Sequence, residues 1–214
     1  MQSKKEKNNS LIIIGCFLIL LGVTCLISKV LYNHLLDKEE DEKIEDFYKE
    51  QEVIKINNDI EPVYEGVEEL TDSSSKQYKI DYVAVLKIPK INLEKGLCYK
   101  GTYCNNVSRN IEILDSSNYP DVSKGNFILV GHSGSGRLAY FNNLMRLENG
   151  DDIIVFFNGH EYRYEVSNKY EIEKNGHAEI RRNEDNTTIT LITCKVHENK
   201  QIVIIADLKQ IDWL

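Results

Sequence analysis

Two reactive side chains lie at the ends of apolar runs in the second half of the chain. Cys194 ends the β-branched run Thr190–Cys194, T-L-I-T-C, and His132 follows the apolar run Asn126–Gly131 at the start of a glycine-rich turn. A cysteine thiolate is a strong nucleophile, and an imidazole can generate it or move protons during attack on a carbonyl. Cys194 and His132 therefore predict covalent catalysis, with a buried structural cysteine and a surface histidine as the alternatives.

Other chemistries fit the sequence less well. His160, His177 and His197 lie among turn-forming residues and are expected at the surface, and no set of ligands with zinc-like spacing accompanies them. We therefore predict neither a metal ion nor another cofactor. The run G-H-S-G-S-G at 131–136 is not a G-x-S-x-G nucleophile elbow, which disfavours a serine hydrolase. A papain-like enzyme is disfavoured because its cysteine precedes its histidine in the chain.

An uncharged apolar segment lies near the N-terminus. Leu11–Ile27 contains no charged residue, follows three lysines, and extends to about twenty residues, which is enough to cross a bilayer as a helix. Because no A-x-A-like cleavage site follows it, a retained transmembrane anchor at residues 11–31 is favoured over a signal peptide. Residues 1–10 are then expected in the cytoplasm, and the remainder of the chain outside the cell membrane.

The net charge of −8 is concentrated in one segment. Asp37–Lys76 holds fifteen acidic and five basic residues, so the rest of the chain is close to neutral. No basic groove is left for nucleic acid, and we predict no nucleic-acid partner. The first half of this segment has apolar residues at partly helical spacing, and the second half contains Pro62 and Gly66. We predict a solvated acidic stalk and linker over residues 32–77.

The five cysteines fall into three groups. Cys16 and Cys25 lie in the anchor on opposite sides of a helix, which predicts lipid-facing side chains. Cys98 and Cys104 lie six residues apart in the segment expected outside the membrane, where a disulfide and two free thiols are equally open. Cys194 is left over as an unpaired extracellular thiol.

Short β-rich runs recur at regular spacing over residues 78–214. Eight strands separated by turns, with one helical piece near Leu138–Leu147, predict a mostly β domain built as a small closed barrel or a sandwich. The expected strands are residues 81–88, 91–99, 111–114, 126–131, 152–157, 162–172, 188–194 and 201–208.

Taken together, these features resemble the sortases, the membrane-anchored cysteine transpeptidases of Gram-positive bacterial surfaces. The resemblance is carried by His132 in the setting G-H-S-G, by T-L-I-T-C at Thr190–Cys194, by a following strand that ends at Ala206, and by the opening strands 82–92. It covers about residues 78–208. It implies a closed eight-stranded sortase-like β-barrel with one or two short helices.

The resemblance also implies a reaction and its partners. Cys194 would attack the carbonyl of a C-terminal sorting signal on a secreted protein and form a thioacyl-enzyme. His132 would protonate the leaving amine and then deprotonate an incoming amine of the cell wall or of another surface protein. We also predict substrate contacts from Thr193, Ser133 and Arg181, with a solvated loop tip as the alternative for Arg181. Arg181 belongs to the short polar loop of residues 173–186, and the corresponding loop walls the peptide groove in sortases.

One position departs from the sortase pattern. The family has an arginine five residues before the alanine that matches Ala206, and this chain has Gln201 there. Lys200 beside it is expected on the opposite face of the strand. Losing a charged donor to an oxyanion typically costs about 3 to 4 kcal/mol.

Three outcomes stay open at this position. Gln201 supplies uncharged hydrogen bonds, a basic residue such as Arg137 takes over, or the enzyme is slow or inactive. Gln201 raises one alternative function, a catalytically silent peptide-binding or scaffold module. A plain cysteine peptidase, which transfers the acyl group to water, is a separate alternative.

Overall fold

The computed structural model describes residues 2–59 and 82–213, with the side chains of residues 14–52 and 82–213. A long helix, α1, is followed by eight strands, the number that the sequence predicts. The elements are α1 Gln2–Asp59, β1 Tyr82–Ile88, β2 Leu93–Cys98, β3 Glu112–Ile113, β4 Asn126–Val130, β5 Asp152–Phe157, β6 His160–Glu173, β7 Thr188–Cys194 and β8 Lys200–Trp213. The part of the predicted linker from residue 60 onward lies outside the described residues.

The eight strands form one sheet that nearly closes into a barrel. Their order is β2-β1-β5-β6-β8-β7-β4-β3, and the end strands β2 and β3 contact each other. Among these strands the neighbouring pairs are antiparallel except for β4 and β7, which run parallel. The predicted eight-stranded barrel is confirmed.

The helical piece predicted near Leu138–Leu147 is shorter than expected. In this region the structure has one 3₁₀ turn, at Leu144–Arg146, preceded by other turns. Another 3₁₀ turn lies between β1 and β2, at Pro89–Ile91. The segment is not a regular helix: the backbone N–H groups of Leu144, Arg146 and Leu147 donate to carbonyls three residues earlier, and that of Phe141 donates to the carbonyl of His132 at 2.9 Å.

Alternating side chains pack on both faces of the sheet. Phe127 and Leu129 of β4 point into the barrel and join its core, which also buries the hydroxyl of Tyr164 and thereby raises its pKa. Residues at the intervening positions pack on the other face. This outer cluster consists of Ile128, Ile192, Val203 and Ile205. The strands that carry it, β4, β7 and β8, are therefore buried on both faces.

The helix α1 belongs to two units of the chain. The first unit, Met1–Glu42, holds its N-terminal part. The large apolar side chains from Ile14 to Leu35 are exposed, and this part of the helix is long and apolar enough to cross a membrane. Its length and composition fit the anchor predicted at residues 11–31.

The second unit, Lys43–Leu214, contains the barrel and the end of α1. Ile44 and Phe47 are 8% and 3% exposed, because they pack on an apolar patch of β1 and β5. The patch consists of Val85, Ile154 and Phe156. Tyr48 packs beside them, and its hydroxyl donates to Glu94 Oε1 at 2.7 Å. This part of the stalk, expected as a solvated charge run, contributes apolar residues to the barrel unit.

Phe47→Ala is expected to destabilise the barrel unit. Truncating a buried phenylalanine removes apolar contact and leaves a cavity, which costs about 3 kcal/mol or more. Chemical unfolding of the full chain in detergent, followed by the fluorescence of the single tryptophan, Trp213, measures the loss. Lys49→Ala on the exposed side of the same helix is the matched control and should leave the midpoint unchanged. Equal midpoints for Phe47→Ala and the parent chain would contradict the packing described.

Candidate active site

The parallel pairing of β4 with β7 brings His132 and Cys194 to one edge of the sheet. The pairing continues up to Val130 opposite Ile192, and His132 and Cys194 each lie two residues beyond that pair. Parallel strands end at the same edge, and neighbouring strands are about 4.8 Å apart. Because side chains alternate between the faces, Cys194, the last residue of β7, falls on the face that carries the outer cluster. His132 lies two residues beyond the end of β4. The structure therefore places the two predicted residues at one edge of the sheet.

Both side chains are accessible. Cys194 is partly exposed and free, and His132 is exposed. Cys98 and Cys104, by contrast, form a disulfide with their Cα atoms 5.9 Å apart, which decides between the two alternatives left open by the sequence. Within the described residues, Cys194 is the only free cysteine outside α1.

Two hydroxyl groups tie the strand ends together. Thr193 Oγ1 donates to the carbonyl oxygen of Gly131 at 2.8 Å, and Ser133 Oγ donates to the carbonyl oxygen of Cys194. Thr193 thus bonds the backbone next to His132, and Ser133 bonds the backbone of Cys194 itself. We call this pair of hydrogen bonds the hydroxyl latch. Thr193 is 2% exposed, which does not favour the predicted contact with a substrate, whereas Ser133 is partly exposed.

The glycine-rich turn after His132 is closed by residues 140–142, which lead back toward the barrel and which we call the returning limb. Phe141 N–H donates to the His132 carbonyl, and Gly134 N–H donates to Asn142 Oδ1 at 3.1 Å. Gly134 and Gly136 have φ of +113° and +130°, a conformation that favours glycine. The turn therefore places little side-chain bulk next to His132, and its returning limb holds the His132 backbone.

Gln201 lies directly opposite Cys194 in the antiparallel pair of β7 and β8. Side chains of directly opposed residues share a face, with Cβ atoms about 4.5 to 5.5 Å apart. Gln201 also shares its face with Val203 of the outer cluster. Lys200 points to the other face, as predicted, and its Nζ lies 3.2 Å from Glu171 Oε2. The side chain beside the sulfur at this register is therefore the amide and not the ammonium group.

A short turn joins Cys194 to Gln201. The backbone N–H of Lys195 donates to the carbonyl of Lys200 at 2.8 Å, and Lys195 Nζ lies 2.6 Å from Glu171 Oε1. Hydrogen bonds from both lysines hold the pKa of the Glu171 carboxyl below its ordinary value. This ion-pair network fixes the turn against β6.

The loop between β6 and β7 lies across the outer cluster. Ile180 packs against that cluster, and the Tyr170 hydroxyl accepts from Arg181 N–H at 2.7 Å and donates to the Glu179 carbonyl at 2.8 Å. Burial raises the pKa of Tyr170. The Arg181 guanidinium lies 3.0 Å from Glu179 Oε2 and faces an open pocket of about 420 Å³ that Lys200 also lines.

Two residues that shape this site were not predicted from the sequence. Tyr170 pins the β6–β7 loop and Glu171 pins the β7–β8 turn. Alternation along β6 indicates that these neighbours face opposite ways. The partners of Tyr170 depend on the path of the β6–β7 loop, and those of Glu171 depend on the pairing of β6 with β8. That pairing joins strands distant in the chain and has no local signal.

The chain matches known proteins over the same region. A family model described as a sortase domain matches residues 86–209, more than half of the chain. The chain is 30% identical to sortase A of Bacillus anthracis over 132 residues, which is 61% of each protein. It is 28% identical to sortase D of Bacillus subtilis (strain 168) over 110 residues, or 51% of this chain and 52% of that protein. The matches thus span less than two thirds of either relative.

Solved structures share the fold. A Clostridium perfringens sortase D5 transpeptidase superposes with a TM-score of 0.56 at 21% identity, over 81% of this chain and 98% of that one. Listeria monocytogenes sortase A gives a TM-score of 0.53 at 22% identity, over 62% of this chain and 90% of that one. The family model and the shared barrel agree with the resemblance carried by Cys194 and His132, and the chain belongs to the sortase family.

Proposed function

We propose that this chain is a membrane-anchored cysteine transpeptidase that joins secreted proteins to an amine at the cell surface. The observation that carries the proposal is the common register of β4 and β7, which supports a reaction between Cys194 and a substrate handled by His132. The anchor at residues 11–31 would hold the enzyme at the cell membrane with residues 1–10 in the cytoplasm and the barrel outside.

The proposed reaction has two steps. The Cys194 sulfur attacks the carbonyl carbon of a peptide bond in a C-terminal sorting signal, the C–N bond breaks, and His132 gives a proton to the leaving amine. An amine of the cell wall or of another surface protein then attacks the thioester, His132 takes its proton, and the Cys194 thiolate leaves. The enzyme returns to its starting state with one peptide bond exchanged for another.

Gln201 is the proposed donor to the oxyanion that forms in each step. Its place opposite Cys194 allows the amide N–H groups to reach the oxygen of the tetrahedral intermediate. Lys200 does not suit this role, because it points to the other face and pairs with Glu171. Arg137, the alternative donor, lies in the exposed turn after His132 and would have to reach across from there.

The outer cluster is proposed to support the peptide groove from beneath. Its four side chains are at most 8% exposed and pack on the face that carries Cys194, and the β6–β7 loop with Arg181 is the proposed wall of the groove. Ser133 is proposed to border the groove from the other side, through the bond that its hydroxyl makes to the Cys194 carbonyl. Thr193 is proposed to act below the surface, by positioning the two strand ends.

A catalytically silent peptide-binding module is the second candidate. The specific observation in its favour is the uncharged side chain of Gln201 at the position opposite the sulfur. Such a module would keep the groove and bind sorting signals without forming a thioester.

Cys194→Ala is expected to abolish thioacyl formation. The full chain in detergent is incubated with a library of C-terminal peptides from secreted proteins, and mass spectrometry detects the acyl adduct on Cys194. Cys16→Ala is the matched control and should keep the adduct, because Cys16 lies in α1. Added glycine amide should give a transpeptidation product, and release of free acid alone would indicate plain hydrolysis. Peptide binding with no adduct in the parent chain would favour the silent module.

Gln201→Leu is expected to slow thioacyl formation about a hundredfold, because one preorganised donor to the oxyanion is lost. Gln201→Arg should at least match the parent rate, since the guanidinium supplies a charged donor. Lys209→Gln, at an exposed position eight residues farther along β8, is the control and should leave the rate nearly unchanged. Equal rates for Gln201→Leu and the parent chain would remove Gln201 from the mechanism.

Thr193→Val is expected to lower the free energy of unfolding by about 1 to 3 kcal/mol. The substitution keeps the shape of the side chain and leaves the buried carbonyl of Gly131 without the hydroxyl donor. Thr193→Ser restores the donor and should recover most of the loss. Denaturant unfolding monitored by circular dichroism measures the three proteins, and a stable Thr193→Val chain would show that this half of the latch is dispensable.

A further inference from the structure

Lys95 is a charged residue in an unusual environment. Its side chain is 5% exposed, and it is the one charged residue among the buried ones in residues 14–52 and 82–213. It pairs with Leu86 of β1 and lies on the same side of β2 as Leu97, which belongs to the barrel core. Burying an ammonium group is unfavourable unless specific contacts compensate, so its retention calls for a reason.

The ammonium group of Lys95 lies under an aromatic ring. Its Nζ is 4.1 Å from the centroid of the Tyr140 ring, a distance at which the ring face attracts a cation. Tyr140 is half-buried and packs against the barrel core. The contact therefore joins β2 to the returning limb of the glycine-rich turn.

That limb leads directly to His132. Phe141, the residue after Tyr140, donates its N–H to the His132 carbonyl at 2.9 Å. The Phe141 ring is fully buried and lies so close to Gly131 that an added Cβ there would be 2.7 Å from the ring. A shift of the returning limb would therefore move both Gly131 and the carbonyl of His132.

We propose that Lys95 is a positioning residue for His132. Through Tyr140 it holds the returning limb in place, and the limb holds the backbone of His132 at the edge of β4. The glycines at 134 and 136 give the rest of the turn little stiffness of its own, so an anchor from the barrel wall is needed. The catalytic consequence rests on the proposed function, whereas the structural consequence for His132 does not.

A purely structural role makes a different prediction. Lys95→Met keeps most of the side-chain volume and removes the cation. Under our proposal the folded Lys95→Met chain has a loosened His132, whereas a simple packing role would leave His132 as it was.

The imidazole signal of His132 tests the proposal directly. The full chain is labelled with ¹⁵N-histidine in detergent, and His132→Ala identifies the His132 resonances among the five histidines. Lys95→Met and Tyr140→Leu, which remove the contact from either side, should broaden or split these resonances in the same way. Tyr140→Phe, which keeps the ring, and Lys90→Met, an exposed lysine, should leave them unchanged. Unaltered His132 resonances in both folded Lys95→Met and folded Tyr140→Leu would overturn the proposal.

The rate of thioacyl formation separates this proposal from the proposed function. Lys95→Met is expected to reduce kcat about tenfold or more with KM nearly unchanged, since small displacements of a proton-transferring group are costly. In the His132→Ala background the same substitution should have no further effect. A parent chain without activity would count against the proposed function alone, because the resonance measurement would still decide the role of Lys95.

Discussion

The parallel register of β4 and β7 is the constraint on which the site depends. Parallel strands finish at the same edge, so one register places His132 and Cys194 at one edge of the sheet. A slip of one residue would turn Cys194 toward the barrel interior, since side chains alternate with a period of two. Burial on both faces disfavours such a slip, because alternate residues of these two strands are buried in the barrel core and in the outer cluster. Fold stability and the geometry of the site therefore have one origin.

Bonds that cross between chain segments refine this arrangement. The hydroxyl latch joins the ends of β4 and β7, and the network of Glu171 with Lys195 and Lys200 fixes the turn that follows Cys194. Cys194 and Gln201 thus sit on one stiff hairpin, while His132 sits on a glycine-rich turn held by its returning limb. The register therefore sets Cys194 opposite Gln201, whereas the place of His132 depends on more distant contacts.

The sequence predicts those features that arise from local pattern. Alternating β-branched runs gave the eight strands, and the T-L-I-T-C run with the earlier G-H-S-G turn indicated the two reactive residues. Features that arise from distant contacts were not predictable. Ile44 and Phe47 lie in a charged segment, and the apolar patch of β1 and β5 on which they pack exists only in the folded barrel. Their burial is therefore not evident from the sequence. Near Leu138–Leu147 the structure has a 3₁₀ turn in place of the predicted helical piece. The Phe141 N–H there bonds the His132 carbonyl, a contact between residues nine apart that local pattern does not indicate.

The disulfide between Cys98 and Cys104 has a practical consequence for handling this protein. Cys194 has to stay a free thiol, and reducing agents are the usual means of protecting such a sulfur from oxidation. The same agents reduce disulfides by thiol exchange, and here they would break the bond that closes the start of the loop between β2 and β3. The Asn105 side chain in this loop bonds both the N–H and the carbonyl of Ile113 in β3. Storage under inert gas, with no added thiol, would preserve both sulfur oxidation states at once.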